Sequence, residues 1–421
     1  MGLNFNKKII FFSLTVLITI IFSFFAYDPP EVVIIGPEFP EQEYFIEELN
    51  IIADELNIKI KYNAISDTET YIIDNPKSNV SLAIVPNPQG VRNLAERELI
   101  QPLNTIEVDN ISISNLYSNH LKSIVTYQNN IYAGWVRLFP NSLVWYDISK
   151  FNKFKTIDFT SFSSLLNSTK IIADDGISPW CSNSESGSST GWIQTNWMED
   201  LLLSKYGGEI YDRWSKLDIN ASNIEIYNTI SLVGDFSFYP GHNLNRTGFI
   251  NVEFRNLPKV LLDDNIPCFL SWSGHYFLNY IPDEYEYGID FGVIQLPKIN
   301  FENTTVGIGD SIVLVKDDNL SKIILEKILS KDFGTIWSSK SDSQYISANN
   351  QFDSSNIVNE LTKYEYKIVH DSLNEDNFRF DASELMPRPI GSDKLWEFFQ
   401  NYIKNGPDSL VVLLNSLDKE F

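Results

Sequence analysis

The chain has 421 residues, enough for two domains that each bury a core of their own. Apolar residues make up 43% and aromatic residues 14%, which excludes a disordered chain. A formal charge of −23 repels phosphate backbones and anionic headgroups, so nucleic acid is excluded as a partner.

Lys7 and Lys8 precede an apolar run from Ile9 to Ala26, broken only by Ser13, Thr15, Thr19 and Ser23. A charged start followed by such a run is the pattern of an export signal, and this one is also long enough to span a bilayer. Residues 1–26 are therefore expected to be a signal peptide or an uncleaved N-terminal membrane anchor, with everything after Tyr27 outside the cytoplasm. In that oxidising compartment the two cysteines, Cys181 and Cys268, are expected to pair. Closing so long a loop is worth about 4.5 kcal/mol on a chain-entropy estimate. The four histidines (120, 242, 275 and 370) are scattered, so no zinc-ligand spacing exists and no metal is expected.

From Glu31 the elements alternate. EVVIIG (31–36) reads as a strand stopped by Gly36-Pro37, and 41–56 carries Phe45, Leu49, Ile52 and Leu56 at helical spacing. IKIKY (58–62) is a strand, 66–74 a weak helix, VSLAIV (80–85) a buried strand and 91–97 a helix. This β-α-β-α-β order predicts a mostly parallel sheet. Ligands of such sheets bind beyond the carboxyl ends of the strands, here Gly36-Pro37-Glu38 and Pro86-Asn87-Pro88-Gln89. IYAGWV (131–136) and SLVWYDI (142–148) are strands on which the chain leaves the first domain. A second alternation begins with KIIAD (170–174) as a strand and continues with a helix from Asn196 to Lys205 and further helices to Asp235. PCFLSW (267–272) and FGVIQLP (291–297) are further strands. GIGDSIVLV (307–315) is a strand returning to the first sheet, followed by a helix over 319–338. The tail from Ser354 is helical, interrupted over 378–392. Several crossings without a flexible linker imply two α/β lobes, a hinge and a cleft.

The chemistry of catalysis is thin. There is no Walker-type phosphate loop, no G-x-S-x-G nucleophile elbow and no H-E-x-x-H zinc motif. Acidic neighbours occur at Asp174-Asp175, Glu199-Asp200 and Asp263-Asp264, but adjacent acids on a helix diverge and do not readily flank one bond. Two distant carboxylates of a glycoside hydrolase remain the alternative, because their sequence spacing is unconstrained. The stretch around Cys181 points elsewhere. Trp180, Trp192 and Trp197, with Glu185, Ser186 and Asn196, combine aromatic plates with hydrogen-bonding groups, as a sugar site requires.

The motifs P-W-C (179–181), E-S-G-x-x-T-G-W (185–192), N-W-x-E-D-x-x-L (196–203), Y-D-R-W (211–214), S-L-V-W-Y (142–146) and F-R-F-D-x-S-x-L-M-P (378–387) resemble those of periplasmic α-glucoside-binding proteins of ABC transporters. These belong to the extracellular solute-binding proteins of family 1, which are similar to maltose-binding proteins. The resemblance runs over roughly residues 80–400. It implies a two-lobed binding-protein fold of α/β class with a hinge and an interlobe cleft, no catalysis and no cofactor. It implies an N-terminal lobe of residues 27–141 and 304–345 and a C-terminal lobe of 142–303 and 346–421. It also implies a disulfide between Cys181 and Cys268.

The ligand positions implied by the resemblance are Glu38, Asn87, Arg137, Asn141, Glu185, Trp192, Trp272, Asp310, Arg379, Asp381 and Trp396. Where relatives carry a His-Arg-Gln-like string this chain has Leu270-Ser271-Trp272-Ser273, which exchanges a charged contact for stacking. His275 and Tyr276 are open to either role, core or rim. The partners implied are an α-glucoside or sugar-derived osmolyte of the glucosylglycerol, sucrose or trehalose type, and the permease subunits of an inner-membrane transporter. The protein is expected to be a periplasmic monomer.

Overall fold

The computed structural model describes residues 29–154, 157–182, 193–244 and 253–421. The expected export segment, 1–26, lies outside the described residues. Among those described, no helix is long and apolar enough to cross a membrane.

The main strands are β1 (Glu31–Gly36), β2 (Lys59–Ala64), β3 (Val80–Val85), β4 (Ala133–Pro140), β5 (Leu143–Asp147), β6 (Leu270–Ser273), β7 (Phe291–Gln295), β8 (Thr305–Leu314) and β9 (Phe378–Phe380). The main helices are α1 (Gln42–Leu56), α2 (Thr68–Asp74), α3 (Pro88–Glu96), α4 (Phe162–Asp174), α5 (Ile193–Ser215), α6 (Ile224–Phe238), α7 (Asn319–Leu329), α8 (Glu360–Asn374), α9 (Ala382–Leu385), α10 (Leu395–Asn405) and α11 (Leu410–Leu417).

The first sheet runs β9-β8-β3-β1-β2, with β4 pairing to β8. β1 is parallel to β2 and β3, whereas β8 is antiparallel to both β3 and β4. The sheet is therefore mixed, and β8 is the return strand expected from GIGDSIVLV. Every residue of β3 is buried, as a central strand covered on both faces must be. α1 covers one face with Phe45, Leu49, Ile52 and Ala53, one stripe at helical spacing. The left-handed Asn57 (φ 52°) then ends it. A second, three-stranded sheet has the order β6-β5-β7 and is antiparallel throughout. It is packed in helices and supports a separate core that holds Trp145, Trp180, Trp197, Trp214 and Trp272.

Three differences from the sequence expectation have physical causes. KIIAD is not a strand but the last turn of α4. Its apolar pair continues a helical stripe of Leu165, Leu166, Thr169, Ile172 and Ala173, and Ser161 caps the helix through the Ser164 amide at 3.0 Å. The expected helix over 319–338 breaks in two: the first part ends at Leu329, where Ser330 turns extended (ψ 159°), and Gly334, with a left-handed φ of 85° against the Tyr345 ring, leads into the short turn Thr335–Ser338. Residues 346–357, assigned above to the second lobe, contribute Ile346, Ala348, Phe352 and Ile357 to the first core. The core changes later, on α8, which sends Leu361 and Ile368 into the second core and Val369 into the first.

Cys181 and Cys268 form a disulfide, both sulfurs lying within the second core. It pins the segment after Trp180 to the approach to β6, alongside a hydrogen bond from the Cys181 amide to the Leu270 carbonyl at 2.7 Å. Replacing both cysteines by serine, or reducing the native protein, should lower the unfolding free energy by about 2–4 kcal/mol. Denaturant titrations with and without reductant would check this, and coincident curves would show the bridge to be energetically idle.

Candidate ligand-binding cleft

The two cores meet along the crossings β4–β5, β7–β8 and the tail strand β9. Between them lies a cavity of about 180 Å³. The first lobe supplies Pro86, just past β3, and the crossings supply Phe139, Asn141, Ile308, Gly309 and Asp310. The second lobe supplies Asn196 from α5 and Tyr276, and the tail supplies Phe380, Asp381, Ser383 and Glu384. An outer chamber of about 570 Å³ adjoins it, sharing Ser383 and Glu384. Its first-lobe wall is Glu69, Asn87, Gln89 and Asn93, and its second-lobe wall includes Thr195, Arg388 and Trp396.

The inner cavity pairs an aromatic face with unused polar capacity. Tyr276 is 42% exposed although it is a large aromatic side chain, and it lines this cavity. Asn196 is buried, yet its Oδ1 finds no hydrogen-bond partner among the described residues. An unsatisfied buried carbonyl costs about 1–3 kcal/mol, which a ligand hydroxyl would recover. Opposite, Asp381 caps α9 by accepting from the Ser383 amide at 3.0 Å and the Ser383 hydroxyl at 2.5 Å. Its other oxygen faces the Asn141 amide at 3.4 Å. Burial raises the Asp381 carboxyl above its usual range. Glu384 keeps much of its surface open at the mouth, but the surrounding protein first, and then Asp381, push its carboxyl up to about 7.

No lysine or arginine lines the inner cavity among the described residues. Arg137 stands just behind it, and its charge is spent. Its Nε donates to Asp310 at 2.5 Å, while its guanidinium lies over Phe39, Phe139 and Trp337 at 4.3, 4.9 and 5.2 Å from their ring centres. The pair sits on facing residues of β4 and β8, so the sheet register brings it together.

Of the residues singled out from sequence, Asn141, Asp310 and Asp381 line the inner cavity, and Asn87 and Trp396 the outer chamber. Asn87 arrives there as the N-cap of α3, its side chain holding the Gln89 amide at 2.7 Å. Others lie elsewhere. Trp272 is not a stacking plate in the cleft: it is 2% exposed and stacks on Trp197 in the second core. Trp180 and Trp197, read as a ligand wall, are core residues too. Their indole N–H groups are satisfied internally, by His242 Nε2 at 3.0 Å and by the Trp272 carbonyl at 2.9 Å. Arg379 points away, pairing with Asp212 at 2.7 Å beside a separate 720 Å³ groove. Glu38 is exposed and outside both linings. Glu185 and Trp192 lie outside the described residues. His275 and Tyr276 divide: His275 is core, held between Glu365 and Gln344, and Tyr276 is rim. Phe139, Ser383 and Glu384 went unnoticed, although Ser383 and Glu384 stand two and three places after Asp381 in a quoted motif.

Beneath the cavity, Asp200 of α5 accepts from the Ser142 hydroxyl and from Trp272 Nε1 at 2.9 Å. Burial raises its carboxyl from 3.8 to about 6, against the pull of Lys298. Lys298 is itself lowered to about 8 by burial.

A scan against family models finds no match. Full-length comparisons do find relatives. The alpha-glucosides-binding periplasmic protein AglE of Rhizobium meliloti is 24% identical over 88% of this chain and 82% of its own. The osmoprotective compounds-binding protein GgtB of Synechocystis is 23% identical over 94% and 93%. Among solved structures, the bacterial solute receptor AcbH superposes with a TM-score of 0.76 at 13% identity, covering 93% of this chain and 98% of that one. RafE from Streptococcus pneumoniae gives 0.73 at 12% identity over 93% and 97%. The fold is that of the two-lobed, maltose-binding-like solute receptors. Over most of its length the chain is thus similar to periplasmic proteins that bind sugars and osmolytes.

The raised Asp200 carboxyl has a measurable sign. Between about pH 4 and pH 6 the folded state keeps a proton that the unfolded chain releases, so this group withdraws stability as pH rises, by up to about 3 kcal/mol. Denaturation of the wild type and Asp200→Asn side by side should show their difference moving in favour of the variant over that window and levelling above about pH 7. A difference that is flat or runs the other way would contradict the assignment.

Proposed function

We propose that the protein captures a neutral, polyhydroxylated solute, an α-glucoside or a sugar-derived osmolyte, and delivers it to a membrane permease in the periplasm. The observation that carries this reading is the inner cavity, where the exposed Tyr276 ring stands with the unpartnered Asn196 oxygen and the Asn141–Asp381 pair. Sugars offer apolar C–H faces to an aromatic plate and a rim of hydroxyls to amides and carboxyls. An anionic sugar would meet Asp381 and Glu384 with no lysine or arginine in the inner lining among the described residues, so uncharged glycosides fit best. The outer chamber, with Asn87 and Trp396, would take the rest of a disaccharide or a glycerol-like aglycone. Glu185 and Trp192 remain proposed contacts.

The relatives named above are binding proteins, and this supports capture without chemical conversion. A thermal-shift panel should give stabilisation by glucosylglycerol, sucrose or trehalose and none by a glucuronide, with calorimetry on the best ligand. Tyr276→Ala should then weaken that ligand by about 2 kcal/mol or more with little loss of stability. Incubation with the ligand should return it intact. Released glucose would favour the glycoside-hydrolase alternative, and stabilisation by the glucuronide alone would refute the neutral-ligand reading.

A further inference from the structure

Two carboxylates on successive positions of α5, Glu199 and Asp200, are 0% and 2% exposed. Burying adjacent acids is costly unless each oxygen is occupied, so their surroundings need an explanation. Neighbouring helix positions diverge by about 100°, and each acid accordingly reaches a different part of the chain.

Glu199 faces the tail. Its Oε2 accepts from the Ala382 amide and the Tyr211 hydroxyl, both at 2.8 Å, and its Oε1 from the Ser383 amide at 3.1 Å. Those amides follow directly on Asp381, so Glu199 fixes the backbone that presents Asp381 and Ser383 to the cavity. Asp200 faces the crossings. It accepts from the Ser142 hydroxyl, which in turn receives the Val306 amide at 3.4 Å. Ser142 follows Asn141, whose own amide donates to the Val306 carbonyl at 2.8 Å. Asn141 is confined further, because a Cβ on Gly274 would strike its side chain. One turn earlier on the same face of α5 stands Asn196, the residue with the unpartnered oxygen.

We propose that Glu199 and Asp200 are positioning residues, which set the distances between Asn196, Asn141 and Asp381 across the ligand cavity by clamping the first and third crossings to one helix. The proposal rests on the solute-binding reading for its consequence, but its geometry is independent of it.

The clamp makes an asymmetric demand. Two of the three donors on Glu199 are backbone N–H groups on different oxygens, which cannot turn round, whereas on Asp200 only Trp272 Nε1–H is fixed, and an Asn oxygen can meet it while the Ser142 hydroxyl rotates to accept. Glu199→Gln should therefore fold but bind the best ligand at least about tenfold more weakly, and Asp200→Asn should lose less than about fivefold. In ligand-free Glu199→Gln, amide exchange at Ala382 and Ser383 should rise at least about tenfold while that of β1 and β3 is unchanged. A purely structural pair would move stability and leave this pattern absent. Affinity within twofold of wild type together with unchanged exchange at 382–383 would overturn the proposal. If the wild type binds no sugar, the functional reading fails, and the exchange measurement still decides the clamp. If Glu199→Gln does not fold, Ser142→Ala carries the test, with a loss of at least about fivefold expected and binding within twofold refuting it.

Discussion

The whole arrangement hangs on a short seam where the chain first leaves one core for the other. At Asn141 the backbone leaves β4 and is tied to Val306 of the returning strand by a 2.8 Å hydrogen bond. A few residues along the same pairing, Arg137 and Asp310 neutralise each other. A charge pair this enclosed does little for stability unless its geometry is good and its remaining donors are met. Here three aromatic rings cover the guanidinium, and the register of β4 on β8 holds both partners. With Arg137 so engaged, the cavity in front of it presents acids and amides rather than a cation.

That charge balance defines the solute more sharply than cavity size does. Asp381 and Glu384 are both held above their ordinary range, largely by burial. The aromatic contribution comes from Phe139, Tyr276 and Phe380.

The first lobe was readable because β1 and β3 are continuous apolar runs bounded by Gly, Pro and Asn, and such runs have few alternatives. The second lobe was less so. KIIAD satisfied the composition of a strand, but its partners on α4 lie four to nine residues upstream and decide the matter. The tryptophans misled for a related reason. An indole chosen as a sugar plate and an indole chosen as core look alike until the partner of Nε1–H is known. For Trp180, Trp197 and Trp272 that partner is internal, a histidine, a carbonyl and a carboxylate brought from far along the chain. Asn141 and Asp381, which line the cavity, stand beside or within quoted motifs at crossings, where local sequence does mark position. Tyr276 could not be separated from His275 by sequence, since adjacent residues here face a core and a cavity.

The interposition of β8 has a consequence for how the molecule comes into being. Ser311 bonds to the Val85 carbonyl across 226 positions of sequence, and the same strand pairs with β4 on its other side. Until residues 305–314 exist, β3 and β4 both present open edges, the template on which strands of other chains assemble. The second core is drawn largely from residues between β5 and β7 but also takes in side chains from Leu361 to Leu417. Contacts of such high sequence separation are slow to form. The first sheet is thus completed only by β8 and then β9, strands that follow in sequence everything the chain places between β5 and β7.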